Sequence, residues 1–385
     1  MGNLDVNGDL TISGSASFNM NTNNDSLTLA GDWLNTSTNA NFFNDGTEKV
    51  TFDGTADQDI TALVIGTETF FLLEINKASG SVILNDDVLI DGSLTFTSGD
   101  IVSTTTDLLS VDNNATVSGA SDNSHVNGPV RKVGNDAFTF PTGDGTTYRS
   151  IAISAPSVAS DQFDAQYFSS SAYRTYGGWG SWNTTINRVS NIEHWTLDRT
   201  NGTSSVSVTL SWGSTSGVGD TADLIVARYN TGTTMWEDQG VAAKTGTTSA
   251  GTITSNAVAN FSPFALGTTL PSNPLPIILG SFGVTNHDDH VDIEWKATES
   301  LVHDRFMLER STDGQNFEAI STKYPDQYLW KEVDFKAFHH EDLDAQDGWN
   351  YYRLLDLCKR NTNSFRDKGC VHCTEDESSG SFHLS

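Results

Sequence analysis

Through residues 1–125, apolar and polar positions alternate in short runs broken by Gly, Asn and Asp: LDVNGDLTISGSASF, DSLTLAGDWLN, EKVTFDGTADQDITAL, SVILNDDVLIDGSLTFTSGDI and LLSVDNNATVSGA. A period of two sends successive side chains to opposite faces, so each run predicts a β-strand, and no stretch here keeps a helical period. Gly8, Gly31 and Gly54 stand 23 residues apart, the first two in GDL and GDW. An interval of that length is one coil of a parallel β-solenoid, whose inward Leu, Val, Ile and Phe stack coil upon coil while acids occupy solvent-facing turns. The next comparable glycine is Gly92 in IDGSL, which predicts an insertion at residues 66–80 or a loosened register there.

From residue 126 the strands lengthen and carry spaced aromatics: AFTFP, YRSIAISA, DQFDAQYFSS, IEHWTLDRT, SVSVTLSW, ADLIVARYN and FSPFALG. Turn signals about every 10 residues among so many strands predict a β-sandwich over 126–269, with Trp195, Trp212, Trp236 and Phe264 in its core. PSNPLP then places three of the chain's eight prolines in six residues, marking a linker over 270–277. A third strand set follows over 278–356, with Trp295 in an alternating strand and Tyr352 where a tyrosine-corner residue would stand. The tail, 357–385, shows no alternation and reads as irregular and non-native in character.

Composition narrows the function. A formal charge of −28 and the absence of any basic stripe exclude nucleic acid as a partner. Residues 1–125 hold 18 Asp or Glu against two Lys and no Arg. Low Lys and Cys with abundant Thr, Ser, Asn and Gly suit an exported β-protein. No apolar run reaches the roughly 20 residues of a membrane helix. Met1 leads straight into strand-like sequence, so the chain reads as a mature form or a fragment.

Candidate chemistry is sparse. Tyr173, Tyr176, Trp179 and Trp182 recur at three-residue intervals in YRTYGGWGSW. On an exposed loop they form a stacking platform for sugar rings; folded back over the strands they are core. Asp5, Asn7 and Asp9 have the alternate spacing of a calcium loop, but Ala16 stands where an EF-hand needs its bidentate acid, and a solvated turn is the plainer reading. His287, Asp288, Asp289 and His290 offer metal-ligand types at a place where four polar residues ordinarily make a hairpin turn. Cys358, Cys370, His372 and Cys373 make half of a zinc spacing without its second pair. No metal site and no cofactor is expected. No GxSxG, HExxH or phosphate-binding loop appears, and no catalytic residue is assigned.

The order of segments, with NGDLTISG and FDGTADQDIT coils, HVNGPVRKVGNDAFTFPTGDGTTYRSIAIS, EHWTLDRT, FSPFALG, NPLPI, VDIEWKATES, FMLERSTDGQNFEAI and NYYRL, resembles surface and secreted proteins of Bacteroidota that use type IX secretion. The resemblance covers residues 1–356; the tail departs from it. It implies an all-β chain: a parallel β-solenoid followed by a β-sandwich and a fibronectin type III-like sandwich. It also implies a non-enzymatic extracellular structural or adhesive protein at the outer cell surface, with glycans or other surface proteins as partners and no membrane span. The alternative is a carbohydrate-binding accessory portion of a larger secreted polysaccharide-degrading enzyme. At the junction, Arg131 and Lys132 are expected to face acidic turns of the last coils, while Phe138, Phe140 and Pro141 cover the open solenoid end.

Overall fold

The computed structural model describes residues 3–20, 26–39, 43–44, 46–63, 66–176, 185–269, 279–287, 289–298, 303–323, 335–346, 348–358, 366–367 and 373–377. The fold is all-β: among the described residues only Ala172–Tyr176 and Ser214–Ser216 are helical, each a single short turn. The chain divides into two compact units, Met1–Thr269 and Leu270–Ser385.

The first unit opens as a parallel β-solenoid of about 5 turns. One ladder runs Leu4, Leu27, Val50, Leu73, Leu94, Val117 in register, and beside it run Val6, Leu29, Phe52, Ile75 and Phe96. A second sheet stacks Leu10, Trp33, Ile60 and Leu84, then Val82, Ile101, Val126 and Thr142. Like residues fall on like residues because the sequence returns to the same phase each coil, and the inward positions from Leu27 to Val126 are almost all fully buried. Phe18 stacks on Phe43, which meets Trp33 and Phe70 edge-on.

The expected insertion does not occur. Leu73 to Leu94 spans 21 residues in place of 23, so the coil shortens, and the ladder shifts register between Ile90 and Ser93, which is the loosened register expected as the alternative. Gly92 is no counterpart of Gly54. It lies within the strand Asp87–Ser98, and a Cβ there would meet the Phe71 carbonyl oxygen at 2.4 Å. Gly80 is the turn glycine seated over Ala56, with φ +72°, a conformation glycine adopts freely.

The turn acids are also more than solvated. Asp9 accepts the Asp32 amide at 3.0 Å, Asp32 accepts that of Asp59 at 2.9 Å, and Asp57 that of Ser81 at 2.9 Å. Asp86, Asp87 and Asp100 accept the amides of Ala62, Leu108 and His125 in the same way. Each carboxylate satisfies a backbone donor of a neighbouring coil where the ladder is interrupted.

No break separates the coils from the antiparallel strands beyond them. Val130–Val133 pairs in parallel with Leu109–Val111 on one side and antiparallel with Gln162–Phe168 on the other. The sheet then continues antiparallel through His194–Asn201, Phe264–Thr268, Leu224–Asn230 and Met235–Asp238. A second antiparallel sheet orders Phe138–Phe140, Ile151–Ile153, Val206–Trp212, Gly251–Val258 and Ala243–Gly246. One hydrophobic core runs from Ile12 through Phe138, Phe140, Trp195 and Trp212 to Phe264 and Leu266. Trp236 is buried in a satellite cluster with Ala172, Ile186, Val189, Ile225 and Tyr229.

The second unit has its own core of Val291, Ile293, Trp295, Phe306, Leu308, Phe338, Tyr352 and Leu354. Leu279–Asn286, Val291–Thr298 and Phe335–Asp342 form one antiparallel sheet; Glu318–Lys323, His303–Ser311 and Trp349–Cys358 form another. Tyr352 donates its hydroxyl to Asp342 at 2.9 Å, and Arg310 meets the same carboxylate at 2.9 Å, so this buried acid is neutralised and fully bonded. In the segment 357–385, expected to be irregular, Arg366–Asp367 and Cys373–Glu377 pair with Trp349–Cys358. The linker PSNPLP lies outside the described residues.

Candidate functional site

The junction segment NGPVRKVG sits where parallel pairing ends, and its two cations separate. Arg131 forms a two-pronged bond to Asp164, 2.7 Å for each prong, on the antiparallel strand Gln162–Phe168. Its expected partner on the last coils is therefore corrected: residues 131 and 164 face each other directly across the pair, so the acid nearest Arg131 belongs to the next strand. Lys132 turns the other way, into the last coil. Its ammonium donates to Asp112 O at 2.6 Å, meets Asp136 at 3.0 Å and lies 5.0 Å from the Phe138 ring centroid. Burial lowers its pKa despite Asp136.

Beside this seam lies a cleft of about 280 Å³, walled by Asn127, Gly128, Gly143 and Asp144 from the final coils and by Gln166 and Phe168 from the antiparallel strand. Gly128, at φ +133°, brings the backbone against Ser103, where a Cβ would stand 2.2 Å from the carbonyl oxygen. The walls offer amide donors and acceptors, one carboxylate and an aromatic ring. Asp144 is held by the Ser169 amide at 3.0 Å.

Phe168 connects this cleft to the aromatic loop. It stacks on His194 with centroids 4.8 Å apart, and Tyr176 meets that imidazole edge-on at 5.2 Å. Tyr176 continues to Tyr229 at 5.7 Å and Trp236 at 6.2 Å. It is half-buried, and burial raises its phenol pKa. Tyr173 belongs to the turn Ala172–Tyr176, while Trp179 and Trp182 lie outside the described residues. Burial lowers the pKa of His194, whose Nδ1 lies 2.8 Å from Ser170 O.

Sequence reasoning missed Phe168, Gln166 and Asn127, because only the coil-to-strand pairing brings residues 127 and 166 to one cleft. Behind the cleft, Tyr167 donates to Glu193 at 3.0 Å and Arg149 approaches the same carboxylate at 3.5 Å. Burial raises the Glu193 pKa. Of the calcium-like trio, Asp5 lies in the strand Leu4–Val6 and Asp9 is committed to the Asp32 amide. His287 and His290 do end a hairpin, joined by His287 N to His290 O at 2.8 Å, and converge on Asp292. Asp288, Cys370 and His372 lie outside the described residues. No helix among the described residues is long and apolar enough to cross a membrane.

No family model matches this sequence, and no curated protein matches it. Among solved structures, a crystal structure of β-1,2-glucanase from Parabacteroides distasonis is similar at 10% identity and a TM-score of 0.18, over 67% of this chain and 37% of that one. The chain thus spans little more than a third of that enzyme's length, and a likeness of this size carries no argument about fold or activity.

Proposed function

We propose that this chain is a non-enzymatic extracellular structural or adhesive protein, secreted by the type IX route and displayed at the outer cell surface. In this reading residues 126–269 are a β-sandwich closing the solenoid and residues 278–356 a fibronectin type III-like module. The observation that carries it is the seam at Val130–Val133, where one strand belongs to both the last coil and the antiparallel sheet. A shared strand and a shared core make a stiff connection, which serves a stalk that holds a surface away from the cell. Carboxylates that cap amides from coil to coil give this stalk an acidic, soluble exterior with only two Lys and no Arg among residues 1–125.

A second reading, carbohydrate binding as an accessory function, is favoured by the cleft. A phenyl ring beside amide and carboxylate groups suits the C–H face and hydroxyls of a sugar, and Asp144 is the one carboxylate among its lining residues. The two readings separate in one experiment. Beads coated with the full chain are tested for adhesion to polysaccharide-coated surfaces, alongside release of reducing ends. Adhesion that weakens severalfold with Phe168→Ala assigns the contact to the cleft. Adhesion unaffected by that change supports a structural or protein-binding surface. Catalytic release of reducing ends, or no adhesion to any surface, overturns the proposal.

A further inference from the structure

Three imidazoles surround one carboxylate on the outer face of the second unit. The hairpin between Leu279–Asn286 and Val291–Thr298 places His287 and His290 at its turn, with Asp292 as the second residue of the returning strand. Phe335–Asp342 pairs alongside, setting Glu341 opposite Asp292 and His339 opposite Glu294, two residues on and on the same face. The inward residues of these strands, Val291, Ile293, Trp295 and Phe338, fill the core, so the alternating outward ones are fixed to present this group.

The distances are those of a ligand set. His287 Nε2 lies 3.2 Å from Asp292 Oδ2, His290 Nε2 3.6 Å from Oδ1 and His339 Nε2 3.0 Å from Oδ1. Donors bonded tetrahedrally to zinc at about 2.0–2.2 Å are themselves about 3.3 Å apart. The donor atoms of His287, His290 and Asp292 all lie within 4.8 Å of one another, and so do those of Asp292, His339 and Glu341. The His287 and His290 rings stack in parallel with centroids 4.5 Å apart. A further contact orients one of them: Asp289 Oδ1 holds His290 Nδ1 at 2.6 Å, leaving Nε2 as the nitrogen that faces Asp292. A carboxylate on the far nitrogen of an imidazole is the arrangement that fixes metal-ligating histidines.

We infer that His287, His290 and Asp292 form a binding site for a divalent transition-metal ion of the zinc class. Two imidazoles select such an ion over calcium or magnesium, which take oxygen ligands. Nothing in this assignment depends on the proposed adhesive function.

The test uses the full-length chain, stripped with a chelator and titrated with Zn²⁺ by calorimetry, then with Co²⁺ by absorption. The expected result is one equivalent bound with visible Co²⁺ bands and without the near-ultraviolet thiolate band that the C-terminal cysteines would produce. His290→Ala and, separately, Asp292→Asn are expected to weaken binding at least tenfold, and Asp289→Asn by about 10-fold through the orientation of His290. Circular dichroism of each variant checks that the sheet is intact, and His287→Gln provides a milder change at the same site. A parent chain that binds no Zn²⁺, a thiolate-type spectrum, or folded variants that bind as tightly as the parent would each overturn the assignment.

Discussion

Lys77 carries a positive charge into the solenoid, where its ammonium donates to Gly54 O at 3.0 Å, Ala56 O at 2.8 Å and Gln58 Oε1 at 2.7 Å. Gln58 in turn donates to Leu29 O at 2.9 Å, so this pair closes the inner side of the turns of three coils. Burial lowers the Lys77 pKa, yet its three acceptors would be left without this donor if it were removed. A buried polar group stripped of its partner costs about 1–3 kcal/mol. Lys77→Met, which fills the same space, is therefore expected to lower the melting temperature of the first unit by several degrees. An unchanged transition in calorimetry would show that the ammonium contributes nothing net. Glu74 acts on the outside of the same coils, accepting from Lys49, Thr51 and Thr97. Its pKa is lowered from the ordinary 4.5, chiefly by the Lys49 hydrogen bond. Because the folded form holds its proton less tightly than the unfolded form, its contribution is present above pH 4.5 and is lost as pH falls through the lower folded value. Glu74→Gln is expected to flatten the acid limb of stability against pH below 4.5, measured by denaturant unfolding. A limb of unchanged slope would mean that the ion pair is too well solvated to matter.

At the scale of the element, Phe138–Phe140 buries two rings just past the seam. Phe138 and Phe140 meet edge-on at 5.0 Å and join the core that runs on from the coils, with Lys132 against the first ring. Truncating a buried Phe costs about 3–5 kcal/mol. Replacing both with Ser is expected to convert soluble protein into aggregate by uncovering the last coil, and retained solubility with an unshifted melting curve would count against the cap. The burial of both rings was legible in the sequence because two alternating aromatics followed the place where coil phrasing stopped. The coils were legible for the same reason: Leu27, Val50 and Leu73 recur in a fixed phase. The 21-residue coil was not, because Gly92 resembles a turn glycine in sequence and only its seat against Phe71 reveals a position within a strand. The acids of the turns were seen but not their task, since Asp57 and Ser81 become partners only when two coils are laid side by side. Likewise, the HDDH motif showed two imidazoles, while His339 and Glu341 reached the neighbouring Asp292 through a strand pairing almost 50 residues away in sequence. The Phe168 cleft left no mark in the sequence at all, because neither wall is a motif by itself.

For the molecule as a whole, the question is where cooperativity ends. Alternation changed character near residue 126, which suggests a domain boundary, yet Met1–Thr269 is one compact unit. Three links cross residue 126: the parallel ladder between Leu109–Val111 and Val130–Val133, the Lys132 hydrogen bond to Asp112 O at 2.6 Å, and the common core. Cutting there would leave a parallel strand edge unpaired on one fragment and bare apolar surface on both, and exposed edges recruit other chains. Repeat arrays can unfold from a free end, because each coil contacts only its neighbours. Here the coils nearest the seam are tied to a large antiparallel core, so fraying is expected to start at the Leu4–Val6 end and to stop before the seam. Native-state hydrogen exchange of the full chain tests this. Amides of Lys49–Phe52 should exchange faster than those of Leu94–Thr95, and those of Val130–Val133 should exchange with the Gln162–Phe168 strand in one step. Expression of residues 126–269 alone should yield insoluble protein. If that fragment is soluble and melts as sharply as the parent, or if Val130–Val133 exchanges well before Gln162–Phe168, the seam is a hinge between independent domains, and the stiff stalk on which the adhesive reading depends is lost with it.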